Sequence, residues 1–117
     1  MTDKLVLIFS KNPDVGNLWQ FTIMIRGYRV LHTCSEAMFG LHLFGDNPDA
    51  VMIIDGGQDE TTKKLCREAT KHGIKSLVLR HAKEERPEFP ADVVLVLGRD
   101  GQDDVFNSIK NLVAKNG

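Results

Sequence analysis

Leu5-Val6-Leu7-Ile8-Phe9 is an uninterrupted apolar run bounded by polar residues, and Val51 to Ile54 is a second. Short runs without alternation predict strands buried on both faces. Ile74 to Leu79 and Val93 to Leu97 predict two more strands, and Tyr28 to Thr33 a fifth. Helical segments lie between them. The first runs from Asp14, an N-cap candidate, to Arg26, with Gly27 as the C′ residue that ends it. The second starts at Ser35 or its neighbour and reaches Phe44, where Gly45-Asp46-Asn47-Pro48 forms a turn. The third is capped by Asp59 and closed by Gly73; the last starts near Asp103 and Asp104 and ends before Asn116. Strands alternating with helices in this way predict an α/β fold, a five-stranded parallel sheet wound on both faces by helices. The crossover between the fourth and fifth strands is unusual. Ala82 to Pro90 is short and charged and carries Pro87 and Pro90. Proline limits helix on its N-terminal side, so this stretch is expected to be a loop or a single turn, with the helix of that crossover shortened or lost.

Composition narrows the field. At 117 residues the chain is expected to form one domain, 1–117, and 42% hydrophobic content suffices for its core. A net charge of −1 gives no electrostatic footprint for nucleic acid. No apolar run approaches the roughly 20 residues that span a bilayer, and Met1-Thr2-Asp3-Lys4 has no signal-peptide character. The expectation is a cytoplasmic protein with no membrane partner, whose Cys34 and Cys66 are interior, reduced thiols. His32, His42, His72 and His81 show no metal-ligand spacing. Asp55-Gly56-Gly57 reads as a turn, with no phosphate-loop pattern after it, so no metal or cofactor is expected.

Several short stretches, in order and at suitable spacing, resemble the receiver domain of bacterial response regulators. Lys4 to Ile8 resembles its opening strand and Pro13-Asp14-Val15 the start of its first helix. Gly27-Tyr28-Arg29-Val30 resembles the Gly-Tyr-x-Val that leads into its second strand, and Pro48-Asp49-Ala50-Val51 the Pro-Asp-x-Val that leads into its third. Ala91-Asp92 followed by Val93 to Val96 resembles the start of its fifth. The resemblance covers the chain except the fourth helix. It implies the flavodoxin-like receiver fold and a role in two-component signal transduction.

The resemblance also implies a phosphoacceptor pocket, and there this chain departs from the pattern. A receiver uses an acidic pair after the first strand to hold magnesium, an aspartate after the third to accept phosphate, a hydroxyl residue after the fourth and a lysine after the fifth. Here the acidic pair is replaced by Phe9 and Ser10, which cannot ligate magnesium as carboxylates do. The spacing from Pro48 puts Ile54 at the phosphoacceptor position, with Asp55 one residue later. A one-residue shift reverses a strand side chain, so Asp55 enters the pocket only if a bulge or the start of the loop turns it back. The hydroxyl position falls at Arg80, which either pairs with Asp55 or reaches solvent. The lysine position falls at Leu97, with Arg99 two residues on as a possible substitute.

The first helix is unusually apolar, with Leu18, Trp19, Phe21, Ile23, Met24 and Ile25. Either its buried stripe is wide or part of it meets a partner. Phe106, Ile109, Leu112 and Val113 form the inner stripe of the last helix. Trp19, Ile23 and Phe106 are the candidate interface residues. The expected function is a pseudo-receiver: a protein-interaction module that works without phosphate or catalysis, with a protein partner or a second copy. Two alternatives stay open. One is an atypical receiver phosphorylated at Asp55; the other is a Toprim-like metal-dependent enzyme, for which the glutamate after the first strand and the second aspartate of an Asp-x-Asp are missing.

Overall fold

The computed structural model describes residues 3–56, 59–80, 89–97 and 100–115. Its strands are β1 (Leu5–Ser10), β2 (Arg29–Thr33), β3 (Ala50–Asp55), β4 (Lys75–Arg80) and β5 (Val93–Val96), and its helices are α1 (Pro13–Ile25), α2 (Glu36–Gly45), α3 (Asp59–Lys71) and α4 (Gln102–Lys115). All pairings are parallel, in the order β2-β1-β3-β4-β5. This is the doubly wound order of flavodoxin-like folds. The expected loop or turn at 82–90 falls largely on 81–88, which lie outside the described residues; Phe89 to Asp92 is not helical.

Strand alternation sorts the core into two layers. Val6, Ile8, Met52, Ile54, Leu77 and Leu79 pack on one face against Trp19 and Ile23 of α1 and Val105 and Ile109 of α4. Leu7, Phe9, Val51, Ile53 and Val78 pack on the other against Phe39 and Leu43 of α2 and Leu65, Cys66 and Ala69 of α3. Each large aliphatic side chain buried in these layers contributes about 1.5–3 kcal/mol.

Local chemistry sets the helix ends. Asn12, not Asp14, caps α1: its Oδ1 accepts from the Asp14 and Val15 amides at 2.9 and 3.3 Å. Pro13 then occupies the first turn, where its missing N–H costs nothing. Ser35 caps α2, accepting from the Met38 amide at 3.2 Å. Gly27 (φ 96°) and Gly73 (φ 72°) take the left-handed conformation after α1 and α3.

At the N-terminal edge of the sheet two matching clasps hold neighbouring strands. Asp49 Oδ2 accepts from the Leu5 amide at 2.8 Å, and Asp92 Oδ2 from the Ser76 amide at 2.9 Å. Each carboxylate also lies 3.9 Å from a lysine ammonium, Lys4 and Lys75 respectively. Both thiols are free, but only Cys66 is interior; Cys34 is exposed between β2 and α2, because the chain there leaves the sheet toward the α2 cap.

β2 lies against α1 through one close approach. Gly16 faces the His32 imidazole so tightly that a Cβ there would collide with the ring. Gly16→Ala is expected to cost about 1–3 kcal/mol in urea unfolding, as overpacking does. In a His32→Ala background the same substitution should cost markedly less; an undiminished cost would place the strain elsewhere. Burial also lowers the His32 pKa from 6.5. The unfolded chain therefore takes up a proton that the folded chain resists. Stability from this group is full above about pH 6.5 and declines below it. His32→Asn should flatten that acid-side decline in urea midpoints measured between about pH 7 and 5.

Candidate functional site

The C-terminal ends of the strands, where ligands bind in open α/β sheets, gather most of the residues singled out from the sequence. β3 runs through Asp55 without a bulge. Ser10 pairs with Ile54, Ile54 with Leu79 and Asp55 with Arg80 in continuous register. Alternation therefore holds to the last residue. Ile54 packs in the layer beneath α1 and α4, and Asp55 points to the opposite side, toward α3.

Asp55 is 1% exposed and Arg80 2%, side by side on that face. The Thr62 hydroxyl of α3 donates to Asp55 Oδ1 at 3.0 Å. The Arg80 guanidinium lies 5.5 Å from the centroid of the Phe89 ring, and its Nε and Nη1 meet no hydrogen-bond acceptor among the described residues. The two oppositely charged side chains share one face of adjacent strands, both withdrawn from water. Arg80 thus does not reach solvent.

The end of β1 is committed elsewhere. Phe9 is fully buried, edge-on to Phe39 with centroids 6.0 Å apart. Ser10 closes the β1–α1 loop: its hydroxyl donates to the Asn12 carbonyl at 2.8 Å and accepts from the Asn12 amide at 3.2 Å. Leu97 packs partly buried against the α1/α4 layer, and its amide donates to the Arg80 carbonyl at 2.9 Å. Arg99 lies outside the described residues. A magnesium ion of the receiver kind does not fit this donor set. Phe9 offers no oxygen, Ser10 is spent on its own loop, and Asp55 faces away from Ser10 across the sheet. Among the described residues no group of three or more His, Cys, Asp or Glu side chains converges on one point.

Trp19, Ile23 and Phe106 need correction as interface residues, because all three are buried in the α1/α4 layer. Trp19 and Ile23 are four apart on the sheet-facing side of α1. Phe106 is covered by the Arg26 guanidinium, 3.8 Å from its ring centroid, which also reaches Asp103 at 3.7 Å. The exposed apolar residues of α1 are Leu18, Phe21, Met24 and Ile25 instead. Elsewhere, His42 Nδ1 and Asp46 Oδ2 lie 2.7 Å apart across a turn of α2. The Cys66 thiol is pushed up to about 12 by burial, which keeps it protonated and unreactive.

Thr62 was not anticipated from the sequence, though a signal for it exists. Thr62, Leu65, Cys66 and Ala69 form a buried stripe at helical spacing, and a hydroxyl in such a stripe needs a polar partner.

The chain matches no family profile and no curated protein sequence. Solved structures do match its fold. FixJ-N superposes with a TM-score of 0.79 at 17% identity, over 97% of this chain and 96% of that one. The signal receiver domain of a modulated diguanylate cyclase from Desulfovibrio desulfuricans G20 gives 0.75 at 15% identity, over 98% and 97%. The response regulator TrrA from Thermotoga maritima, in complex with magnesium and beryllofluoride, gives 0.72 at 18% identity, over 93% and 98%. TrrA also matches as solved in complex with the histidine kinase ThkA, with a TM-score of 0.71 at 17% identity, over 93% and 97%. At these identities the likeness establishes the fold, which is that of receiver domains.

Thr62→Val keeps the shape of the side chain and removes its donor to a buried carboxylate. It should lower stability by about 1–3 kcal/mol in urea unfolding, while Thr62→Ser should retain most of it. Equal losses in the two variants would show that packing, not the hydrogen bond, holds Asp55.

Proposed function

We propose that this chain is a pseudo-receiver: a protein-interaction module of signal transduction that neither accepts nor transfers a phosphoryl group. The observation that carries this reading is the direction of Asp55. Phosphoryl transfer in a receiver needs cations to neutralise the moving charge around an accessible carboxylate. Asp55 is buried on the α3 face, bonded to Thr62 and flanked by Arg80, while the α1/α4 face at that point carries Ile54 and Ser10. A carboxylate so placed offers neither a path for an incoming phosphodonor nor room for a metal beside it.

What remains of a receiver is its scaffold, and scaffolds of this kind act by presenting faces to other proteins. The complex of TrrA with ThkA is one instance of such a face in use. Among the described residues no helix is long and apolar enough to cross a membrane, which agrees with a partner met in solution.

An amide NMR titration with magnesium and beryllofluoride tests the reading. The expected outcome is no saturable shift at Asp55, Thr62 or Arg80. A saturable shift there, or labelling by acetyl phosphate that Asp55→Asn abolishes, would reinstate a phosphorylation switch.

A further inference from the structure

We infer that the outward face of α1 is a self-association surface on which a second copy of this chain packs its own α1. The inference rests on the reading of the chain as an interaction module and names the partner and the surface. Leu18, Phe21, Met24 and Ile25 stand 50–67% exposed on the last two turns of α1. Leu18, Phe21 and Ile25 follow one another at spacings of three and four, with Met24 beside them. That is the spacing of a helix–helix seam, in which side chains of one helix settle between those of its neighbour.

The area suits a dimer. At roughly 200 Å² for a large side chain, these exposures amount to about 500 Å² of apolar surface. A standard interface buries about 800 Å² per partner, of which about 60% is apolar. The four residues thus supply the apolar core of such an interface, and the polar side chains around them its rim. Charge favours a copy over a charged partner. The only charged residue in α1 is Asp14, at its far end. By contrast, α3 exposes Glu60, Lys64, Arg67 and Lys71. A neutral face meets its own image across a twofold axis without like-charge repulsion, and twofold pairing is the commonest way identical chains associate. The second apolar group, Met38, Leu41 and Phe44 of α2, is less suited. Its steps of three drift around the helix and form no straight seam.

Sedimentation velocity on the full chain, over a roughly hundredfold range of concentration, reads the association directly. The expected result is a concentration-dependent dimer. Phe21→Glu and Ile25→Glu should each weaken it by at least about tenfold, with unchanged circular dichroism, because a charge would be buried at the seam. Leu41→Glu on α2 should leave it intact. A chain that is monomeric throughout would overturn the inference. So would a dimer that survives both α1 substitutions, or one that Leu41→Glu dissociates. A response to beryllofluoride in a chain that dimerises through α1 would remove only the phosphate-independent reading. A silent titration with a monomeric chain would remove only the dimer.

Discussion

Asp55 and Arg80 lie in register on adjacent strands, both withdrawn from water at the end of the sheet where an α/β protein ordinarily does its chemistry. Neither is easily buried alone, since an isolated charge in a low-dielectric interior is costly. The Thr62 hydroxyl donates to Asp55, and the Arg80 guanidinium lies beside the Phe89 ring. Much else at this end follows from that arrangement. α3 brings a hydroxyl to the sheet at Thr62, and β4 ends in Arg80.

The fold was largely legible in the sequence because it rests on patterns that composition cannot disguise. The apolar runs at Leu5 to Phe9 and Val51 to Ile54 mark strands covered on both sides, and Gly27 and Gly73 mark the helix ends they form. The helix start was misplaced from Asp14 to Asn12 because both residue types cap well. The distinction lies in which one sits before Pro13, whose fixed φ suits the first helical position. Trp19 and Phe106 were misread because a large aromatic residue looks the same in sequence whether it meets a partner or its own core. Only the phase of α1 against the sheet, and Arg26 lying over Phe106, decide between them. The direction of Asp55 hung on whether β3 bulges, and one residue of local geometry is what periodicity cannot supply.

The two ends of the sheet carry different parts of the likeness to receivers. The stretches that resemble the family most, Pro48-Asp49-Ala50-Val51 and Ala91-Asp92-Val93, lie at the N-terminal edge. There Asp49 and Asp92 accept from the Leu5 and Ser76 amides of neighbouring strands. These residues hold strands in line, and any chain of this topology has a use for them. At the opposite edge stand Ser10, Asp55, Arg80 and Leu97, where an open α/β sheet ordinarily holds its ligands. A scaffold and a site can vary separately because different residues, about a strand's length apart, serve the two purposes.

The clasps at Asp49 and Asp92 have a consequence for how such a protein changes over evolutionary time. Sliding β3 by one residue would exchange its two faces at a stroke, but it would also tear Asp49 from Leu5 and force both packed layers to rebuild around it. The strand is therefore not a track along which an acidic residue can be moved into service. In unbroken register, a carboxylate at this end of β3 reaches the α1/α4 face by replacing Ile54, which is 3% exposed within a filled core. The scaffold thus acts as a ratchet: substitutions on the outer faces of its helices carry no such packing penalty, whereas those within the strand do.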